Sequence, residues 1–425
     1  MSPLADHSER ARHAAVKVVK TLRNDGHVAY LAGGCVRDEL LGRQPVDYDV
    51  ATDAVPDRVS ELFRSADLVG RSFGVVIVRL GREDGFVRRQ TIEVATFRRE
   101  AGYDDHRRPS TVEFTDAETD ANRRDFTINA LFMDPLARGD RRVIDFVGGL
   151  SDLEAGVVRA VGRPDARLAE DHLRALRCVR FAARFGFAID PMTAAAVRRH
   201  AAELKGVSVE RVGDELRRML APATRPAAAR HLDELGLTPA VLGREPEQAE
   251  RVRVTKLRAD ASRAAALAAW GRDVRPSDAP SRIASTLRER LSLSNDETTA
   301  VRGALDGVDR LASGWLDRRV AEQKRDAAAV WFSDAIDLLA TTDTGAAASV
   351  VARGDELAAT PGGIAPKPLV NGDDLIANGH PPGPAFGRVL ERVYDAQLEG
   401  EIREPGEALA LAHQILGEHA ADSAG

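Results

Sequence analysis

Asp47 and Asp49 stand one residue apart in VDYDVA at 46–51. The run alternates and predicts a strand, on which residues two apart share a face. Two carboxylates side by side repel, and one stays protonated unless a cation intervenes. A divalent cation removes that conflict; Mg2+ is usually held by one or two protein carboxylates, with phosphates completing its shell. Upstream, Gly33-Gly34 lies between a predicted strand, HVAYLA at 27–32, and a short predicted helix at 35–41. Glycine there lets the backbone approach a triphosphate, and helix N-terminal N–H groups can receive it. Arg37, one turn later, is placed to contact the same phosphates. Either feature alone is commonplace, a turn or a solvated Asp-x-Asp. In strand–turn–helix–strand order they are far more specific.

Three further groups carry chemistry. Glu93, in TIEVATFRRE, is on another predicted strand. It is either a third carboxylate beside the aspartate pair or a charge on an exposed face, and its neighbours Thr91 and Ala95 do not decide. The run RRDFTINA at 123–130 offers Arg124, Asp125 and Asn129 to phosphate and ribose. Its plainer reading is a helix start with Asp125 favoured by the helix dipole. In EDHLRALRCVRFAARF, positions 174, 177, 180 or 181, and 184 fall on one helical face. Asp171 and Arg174 there form either an ordinary helix ion pair or a recognition pair, since Asp only accepts hydrogen bonds and Arg only donates. Four arginines on one face of an otherwise apolar helix make an odd core, and a polyphosphate in a cleft would satisfy them.

The elements that must position these groups fall into two kinds. Short strands at 27–32, 46–51, 73–80 and 91–97 alternate with helices at 7–25, 35–41 and 56–63, and residues 98–109 read as a polar loop. After Leu150 the spacing is helical: 169–185, 191–204, 209–220, an Ala-rich stretch over 225–355, a Pro/Gly break at 361–368, then 371–377 and 384–398. The expected class is α+β, with a mixed α/β head followed by an all-helical neck, body and tail. The expected domains are 1–150, 151–225, 226–355 and 356–425. A length of 425 residues suits two to four domains, and 44% hydrophobic with 30% charged residues is a globular composition. Net charge is −6, so bulk attraction to phosphate fails, and only the placement of individual arginines can support nucleic-acid binding. Of 60 basic residues six are lysine, and the 20 aromatics are too few for stacking to dominate. Cys35 and Cys178 cannot form a disulfide scaffold. No apolar run nears the ~18 residues of a membrane span, and the N-terminus lacks a signal-peptide core. A soluble cytoplasmic protein with no membrane partner is expected.

The runs LAGGCVRDELLG with Asp47/Asp49, IEVATFR, RRDFTINAL, IDFVGGLSDL and EDHLRALRCVRFAARFGF resemble the class II tRNA nucleotidyltransferase/poly(A) polymerase family, within the polymerase-β-like nucleotidyltransferases. VSVERVGDEL at 207–216 resembles its last head-to-neck motif, and PLVNGDDLIANGHPPGPAFG resembles the tail of many bacterial members. The resemblance implies a nucleotidyltransferase head, a nucleotide-selecting neck helix and a tRNA-contacting tail. It also implies that Asp47 and Asp49 bind the catalytic Mg2+ ions, with Glu93 a candidate third carboxylate. Gly33, Gly34 and Arg37 would hold the triphosphate. Arg124 would recognise the ribose side, helped by Asp125 and Asn129. Asp171 and Arg174 would select CTP and then ATP, and Arg177 and Arg180 would contact phosphates. His172 departs from the family, which often has Pro there, and it points away from the paired positions. Enzymes of the family that add only C have a shortened loop between the first two motifs; 98–115 is full length here, which argues for competence with A. The implied reaction is template-independent addition of CCA to tRNA from CTP and ATP. The alternatives are addition of A alone, poly(A) synthesis, and an inactive RNA-binding module.

Overall fold

The computed structural model describes residues 3–69, 74–86, 88–103, 109–247 and 250–422. The chain divides into two compact units, Met1–Met219 with Ala227–Glu245 and Leu220–Pro226 with Pro246–Gly425. The strands of the first unit are β1 (Ala29–Ala32), β2 (Asp49–Thr52), β3 (Ala66–Leu68), β4 (Val75–Leu80), β5 (Gln90–Thr96), β6 (Arg98–Tyr103), β7 (Pro109–Phe114), β8 (Phe132–Met133), β9 (Val143–Ile144), β10 (Val157–Val158) and β11 (Ala188–Ile189). Seven of them form a mixed sheet in the order β3-β4-β5-β2-β1-β8-β9, in which only β2 and β5 run parallel. Its helices, through residue 219, are α1 (Pro3–Asn24), α2 (Gly34–Leu40), α3 (Pro56–Leu62), α4 (Ala117–Asn122), α5 (Gly149–Ala155), α6 (Pro164–Glu170), α7 (Arg174–Phe185), α8 (Pro191–His200) and α9 (Val209–Met219).

One face of the sheet is closed by α1. Ala11, Ala14, Ala15, Val18, Val19 and Leu22 recur at three- and four-residue steps and are buried, the stripe an amphipathic helix turns to a core. Burying each of its larger side chains contributes about 1.5–3 kcal/mol. The helix stops at Gly26, whose φ of 91° suits glycine. β5 alternates as a half-buried strand should: Ile92 and Val94 face inward, while Thr91 and Glu93 are exposed. That exposed face is where the chemistry-bearing residues collect.

Three local expectations need correction. Residues 98–109 were expected as a loop; their described part is strand, with β6 and β7 paired as an antiparallel ribbon from Arg98↔Phe114 to Tyr103↔Pro109. The ribbon is polar along RREAGY, so no apolar alternation betrays it; residues 104–108 lie outside the described residues, as does Phe73 of the strand expected at 73–80. The helix expected at 169–185 is two helices. Asp171 is extended (φ −150°, ψ 103°), and its carboxylate accepts the Leu173 N–H at 3.1 Å. An aspartate bonding the backbone two residues on offers an alternative to the helical ladder. Third, the helix start expected at Asp125 is a single 3-10 turn, Thr127–Asn129.

That turn is braced from behind. Asp145 accepts the N–H groups of Val147, Gly148, Gly149 and Leu150 at 2.9–3.1 Å. This brings the start of α5 so near that a Cβ on Gly149 would lie 2.3 Å from the Thr127 carbonyl oxygen. Because the obstacle is backbone, Gly149→Ala is expected to lower stability by about 1–3 kcal/mol. The urea midpoint of the variant measures this.

The second unit is helical among the described residues. Its helices include Asn295–Ala312, Val320–Ala327, Phe332–Ala340, Thr344–Ala358, Ala385–Glu399 and a last helix, Pro405–Asp422, that apolar spacing did not pick out. Trp315, fully buried, centres one core with Leu311, Leu339 and Val350; Val389, Val393, Ala412 and Ile415 form another. Among the described residues no helix is long and apolar enough to cross a membrane.

Candidate active site

The parallel register of β2 and β5 sets Asp49 directly across from Glu93. Both are exposed, whereas Val50, Ile92 and Val94 beside them in the chain are buried. Both line one cleft of about 530 Å³. The strand expected from Val46 begins only at Asp49, so Asp47 precedes it and is not part of the cleft lining. Exposure still alternates, with Asp47 and Asp49 out and Tyr48 and Val50 in. Desolvation in the cleft and then the facing Glu93 push Asp49 up to about 6; Arg124 opposes this and Asp47 adds to it.

Eight arginines line the same cleft, Arg37, Arg123, Arg124, Arg174, Arg177, Arg180, Arg184 and Arg211, against four carboxylates, Asp49, Glu93, Asp125 and Asp171. The whole-chain charge conceals this excess. Attraction of a polyphosphate is decided by the field inside the cleft, where low-dielectric walls focus it.

Most of these guanidinium groups are oriented by a buried carboxylate, while Arg174 and Arg211 are held by half-buried Glu170 and Asp171. Arg37 is 3% exposed. It donates to Asp38 Oδ1 through Nε at 2.8 Å and Nη2 at 2.7 Å, bonds Asn129 Oδ1, and lies over the Phe185 ring at 4.6 Å. Arg184 Nη2 takes the other Asp38 oxygen at 3.0 Å. Asp120, 1% exposed, holds Arg123 at 2.7 Å and Arg124 at 3.0 Å; Arg124 Nη1 also donates to the Asn129 carbonyl at 3.1 Å. Burial alone would raise Asp120, but these two cations bring it below the usual range. Gly33 fits beneath Arg124 because it lacks a side chain. Its φ is 71°, and a Cβ would meet Arg124 Nη1 at 2.9 Å. Since α2 has only seven residues, its dipole is small, and the arginines carry most of the positive field.

Asp125 is the hinge of the arrangement. Its Oδ1 accepts from Phe126 N at 2.8 Å and Asn129 Nδ2 at 3.0 Å, and its Oδ2 accepts from Arg177 Nε at 2.8 Å. Burial pushes Asp125 up, yet Arg177, Asn129 and Arg174 outweigh it and hold the carboxyl at about 2. A carboxylate lowered from the unfolded value of about 3.9 contributes stability above that pH, which is lost as pH falls toward 2. Parent and Asp125→Asn should therefore differ in their unfolding midpoints at pH 5, by up to about 2 kcal/mol, and converge near pH 2. Urea titrations at the two pH values check this.

On α7, Arg174, Arg177 and Arg180 are half-buried and Arg184 is exposed, between buried Ala175, Leu176, Cys178, Val179, Ala182 and Ala183. The arginine face is therefore real. The ion pair between the Asp171 and Arg174 side chains is not. Arg174 Nη1 donates to Glu170 Oε2 at 2.5 Å and to the Arg167 carbonyl at 2.7 Å. Asp171 Oδ2 instead accepts from Arg211 Nη2 of α9 at 2.7 Å. Arg180 Nε donates to Glu215 Oε2 at 2.5 Å, with Glu215 4% exposed. His172 is buried and stacked on His200 at 5.9 Å, and is not part of the cleft lining. Sequence reasoning missed Arg211 and the supports Asp38, Asp120, Glu170 and Glu215. Arg211 and Glu215 were within sight, four apart in VSVERVGDEL, spacing that puts both on one helix face.

The fold and cleft define a class, a mixed-sheet head whose arginine-lined, carboxylate-bearing cleft suits a polyphosphate. Residues 29–159 match the poly A polymerase head domain, and residues 186–251 the probable RNA and SrmB-binding site of polymerase A. The CCA-adding enzyme of Levilactobacillus brevis is 33% identical over 411 residues, 96% of this chain and 98% of that protein. The chain belongs to the tRNA nucleotidyltransferase/poly(A) polymerase family. Other alignments span about half the length of the curated relatives. The CCA-adding enzyme of Bacillus subtilis is 44% identical over 48% of this chain and 49% of its own. Poly(A) polymerase I of Salmonella typhi is 42% identical over 48% of this chain and 44% of its own. Among solved structures, the Bacillus stearothermophilus CCA-adding enzyme in complex with CTP superposes with a TM-score of 0.73 at 27% identity, over 99% of this chain and 100% of that one.

Proposed function

We propose that the protein adds CCA to the 3′ end of tRNA from CTP and ATP, without a nucleic-acid template, in the cytoplasm. The observation that carries this is the Asp49–Glu93 pair facing an arginine-lined cleft, in a chain aligned end to end with a CCA-adding enzyme. The near-equal identities to CCA-adding enzymes and a poly(A) polymerase come from half-length alignments and favour neither. The alignment that spans 96% of the chain supports CCA addition.

The donor set fits Mg2+. Asp49 lies across from Glu93 and within the field of Asp47, a repulsion that a hard cation relieves. Among the described residues no three ligating side chains are grouped closely enough to hold an ion alone, so substrate phosphates would have to complete its shell. Asp47 and Asp49 would hold it together with those phosphates, with Glu93 across the register from Asp49. When bound, the metal would lower the pKa of the RNA 3′-hydroxyl and stabilise charge on the triphosphate and departing pyrophosphate.

The chain's own residues position everything else. Gly33 and Gly34 let the triphosphate approach the backbone. Arg37, Arg177 and Arg180 give it fixed cations that need no reorganisation during transfer. Arg124, Asp125 and Asn129 meet the ribose side. Asp171 accepts and Arg174 donates, so together they fit a base edge with an amino donor beside a ring acceptor. Cytosine and adenine present that edge; uracil and guanine present the reverse and would leave buried groups unpaired. The anchoring of Arg174 by Glu170 and of Asp171 by Arg211 keeps this pattern fixed. The test is incubation with labelled CTP or ATP, Mg2+ and tRNA lacking its 3′ end. Incorporation of C and A supports the reading; binding without incorporation supports an RNA-binding module.

A further inference from the structure

The second unit contains its own cavity, about 570 Å³ in volume. The helices Val320–Ala327 and Thr344–Ala358 and the end of Ala385–Glu399 border it, with the turns at 360–362 and 400–403. Much of its wall is apolar, including Leu357, Pro366, Leu369 and Ile402. Four cations also line it, Lys324, Arg353, Lys367 and Arg403, against one carboxylate, Glu399. Two of the six lysines of the chain thus meet at one site.

Lys324 is only 4% exposed. Its buried polar neighbours are satisfied. Gln323 donates to the Trp315 carbonyl at 3.1 Å and the Leu316 carbonyl at 2.9 Å, and accepts from Arg353 Nε at 2.9 Å. Asp326 accepts from Arg310 Nε at 2.5 Å and Trp315 Nε1 at 3.2 Å. Glu399 is turned to other donors, Ala321 N at 3.0 Å and Arg319 Nε at 3.2 Å. The Lys324 carbonyl accepts from Ala328 N at 3.0 Å, but among the described residues its ammonium makes no hydrogen bond and no ion pair. Burial pushes its ammonium below the ordinary lysine value, and Glu399 opposes this only in part. The Lys324 nitrogen is not sealed from solvent, and an ammonium so little hydrated and without an ion-pair partner is open to an arriving anion.

We propose that this cavity binds a phosphate-bearing ligand of nucleotide type, with the phosphate on Lys324 and Lys367 and the remainder against the apolar wall. The volume is in the range of sites for small organic molecules and exceeds what a bare anion needs. The same chemistry comes from two sources, a free nucleotide or a nucleotide within an RNA strand. The site lies outside the catalytic cleft and does not depend on the reaction assigned there.

The test is lysine acylation of the full-length protein at low reagent, read residue by residue by mass spectrometry. One arm adds millimolar AMP, the other tRNA lacking its 3′ end, both in phosphate-free buffer. We expect Lys324 labelling to fall at least fivefold in one arm, with Lys17 and Lys256 unchanged, and Lys367→Gln to weaken that protection. Protection by AMP assigns the site to free nucleotides. Protection by tRNA counts only if Lys324→Met also lowers the slope of log affinity against log salt by about 0.9, the loss of one phosphate contact, and Lys324→Arg restores it. Protection by tRNA without that change means simple covering and overturns the proposal. So does unchanged Lys324 reactivity in both arms. None of these readouts uses incorporation, so failure here is distinguishable from failure of the proposed reaction.

Discussion

Asp49→Ala is expected to lower incorporation of labelled CTP or ATP into tRNA lacking its 3′ end by about 10³-fold or more, about 4 kcal/mol of transition-state stabilisation. Asp49 is the carboxylate on which the arrangement converges. It stands across from Glu93, lines the arginine cleft, and is held by the paired central strands of the sheet. Removing it takes away the donor that Asp47, before the strand, and Glu93, across it, cannot both replace. The loss should not be one of folding. The variant removes a carboxylate that both Glu93 and Asp47 repel, so its urea midpoint should be no lower than the parent's. Glu93→Gln should fall between parent and Asp49→Ala. Near-parental incorporation by Asp49→Ala would remove the assignment of the cleft to nucleotidyl transfer.

Arg174→Ala should blur nucleotide choice. Its guanidinium is fixed by Glu170 and by the Arg167 carbonyl, and it lines the cleft beside Asp171. A base that mismatches the Asp171/Arg174 pattern leaves buried polar groups unpaired, at about 1–3 kcal/mol. The preference for C over U should therefore drop by about 10–100-fold, read as the ratio of kcat/KM for the two triphosphates. Arg174→Lys keeps the charge but not the planar fork, and should restore little of the preference. If the ratio is unchanged in Arg174→Ala, base selection lies elsewhere in the cleft.

Legibility of the sequence followed the physics of each signal. Strong periodicity was readable: the α1 stripe from Ala11 to Leu22 and the arginine face of α7 both follow from helical spacing, and both are present. The Asp49–Glu93 adjacency was not readable, because it depends on the parallel pairing of two strands separated by a long stretch of chain. Neither Thr91 nor Ala95 carries that information. The break at Asp171 escaped because the apolar period continues across it, while one side-chain hydrogen bond to Leu173 redirects the backbone. For the same reason the i,i+3 pairing of Asp171 with Arg174 fails, and Arg211 from a separate helix takes its place. The β6–β7 ribbon is polar along its first strand, so nothing in its pattern distinguishes it from a loop.

The central claim is that the head uses its carboxylates and arginines to place C and A, and no other nucleotide, on the end of tRNA. Sequencing the products formed on tRNA lacking all three terminal nucleotides, on tRNA ending in CC, and on an unrelated RNA, with all four triphosphates and Mg2+ present, tests it most directly. The account predicts CCA on the first, a single A on the second and little on the third. Long A tracts on the unrelated RNA, or no extension of any of the three, would contradict it.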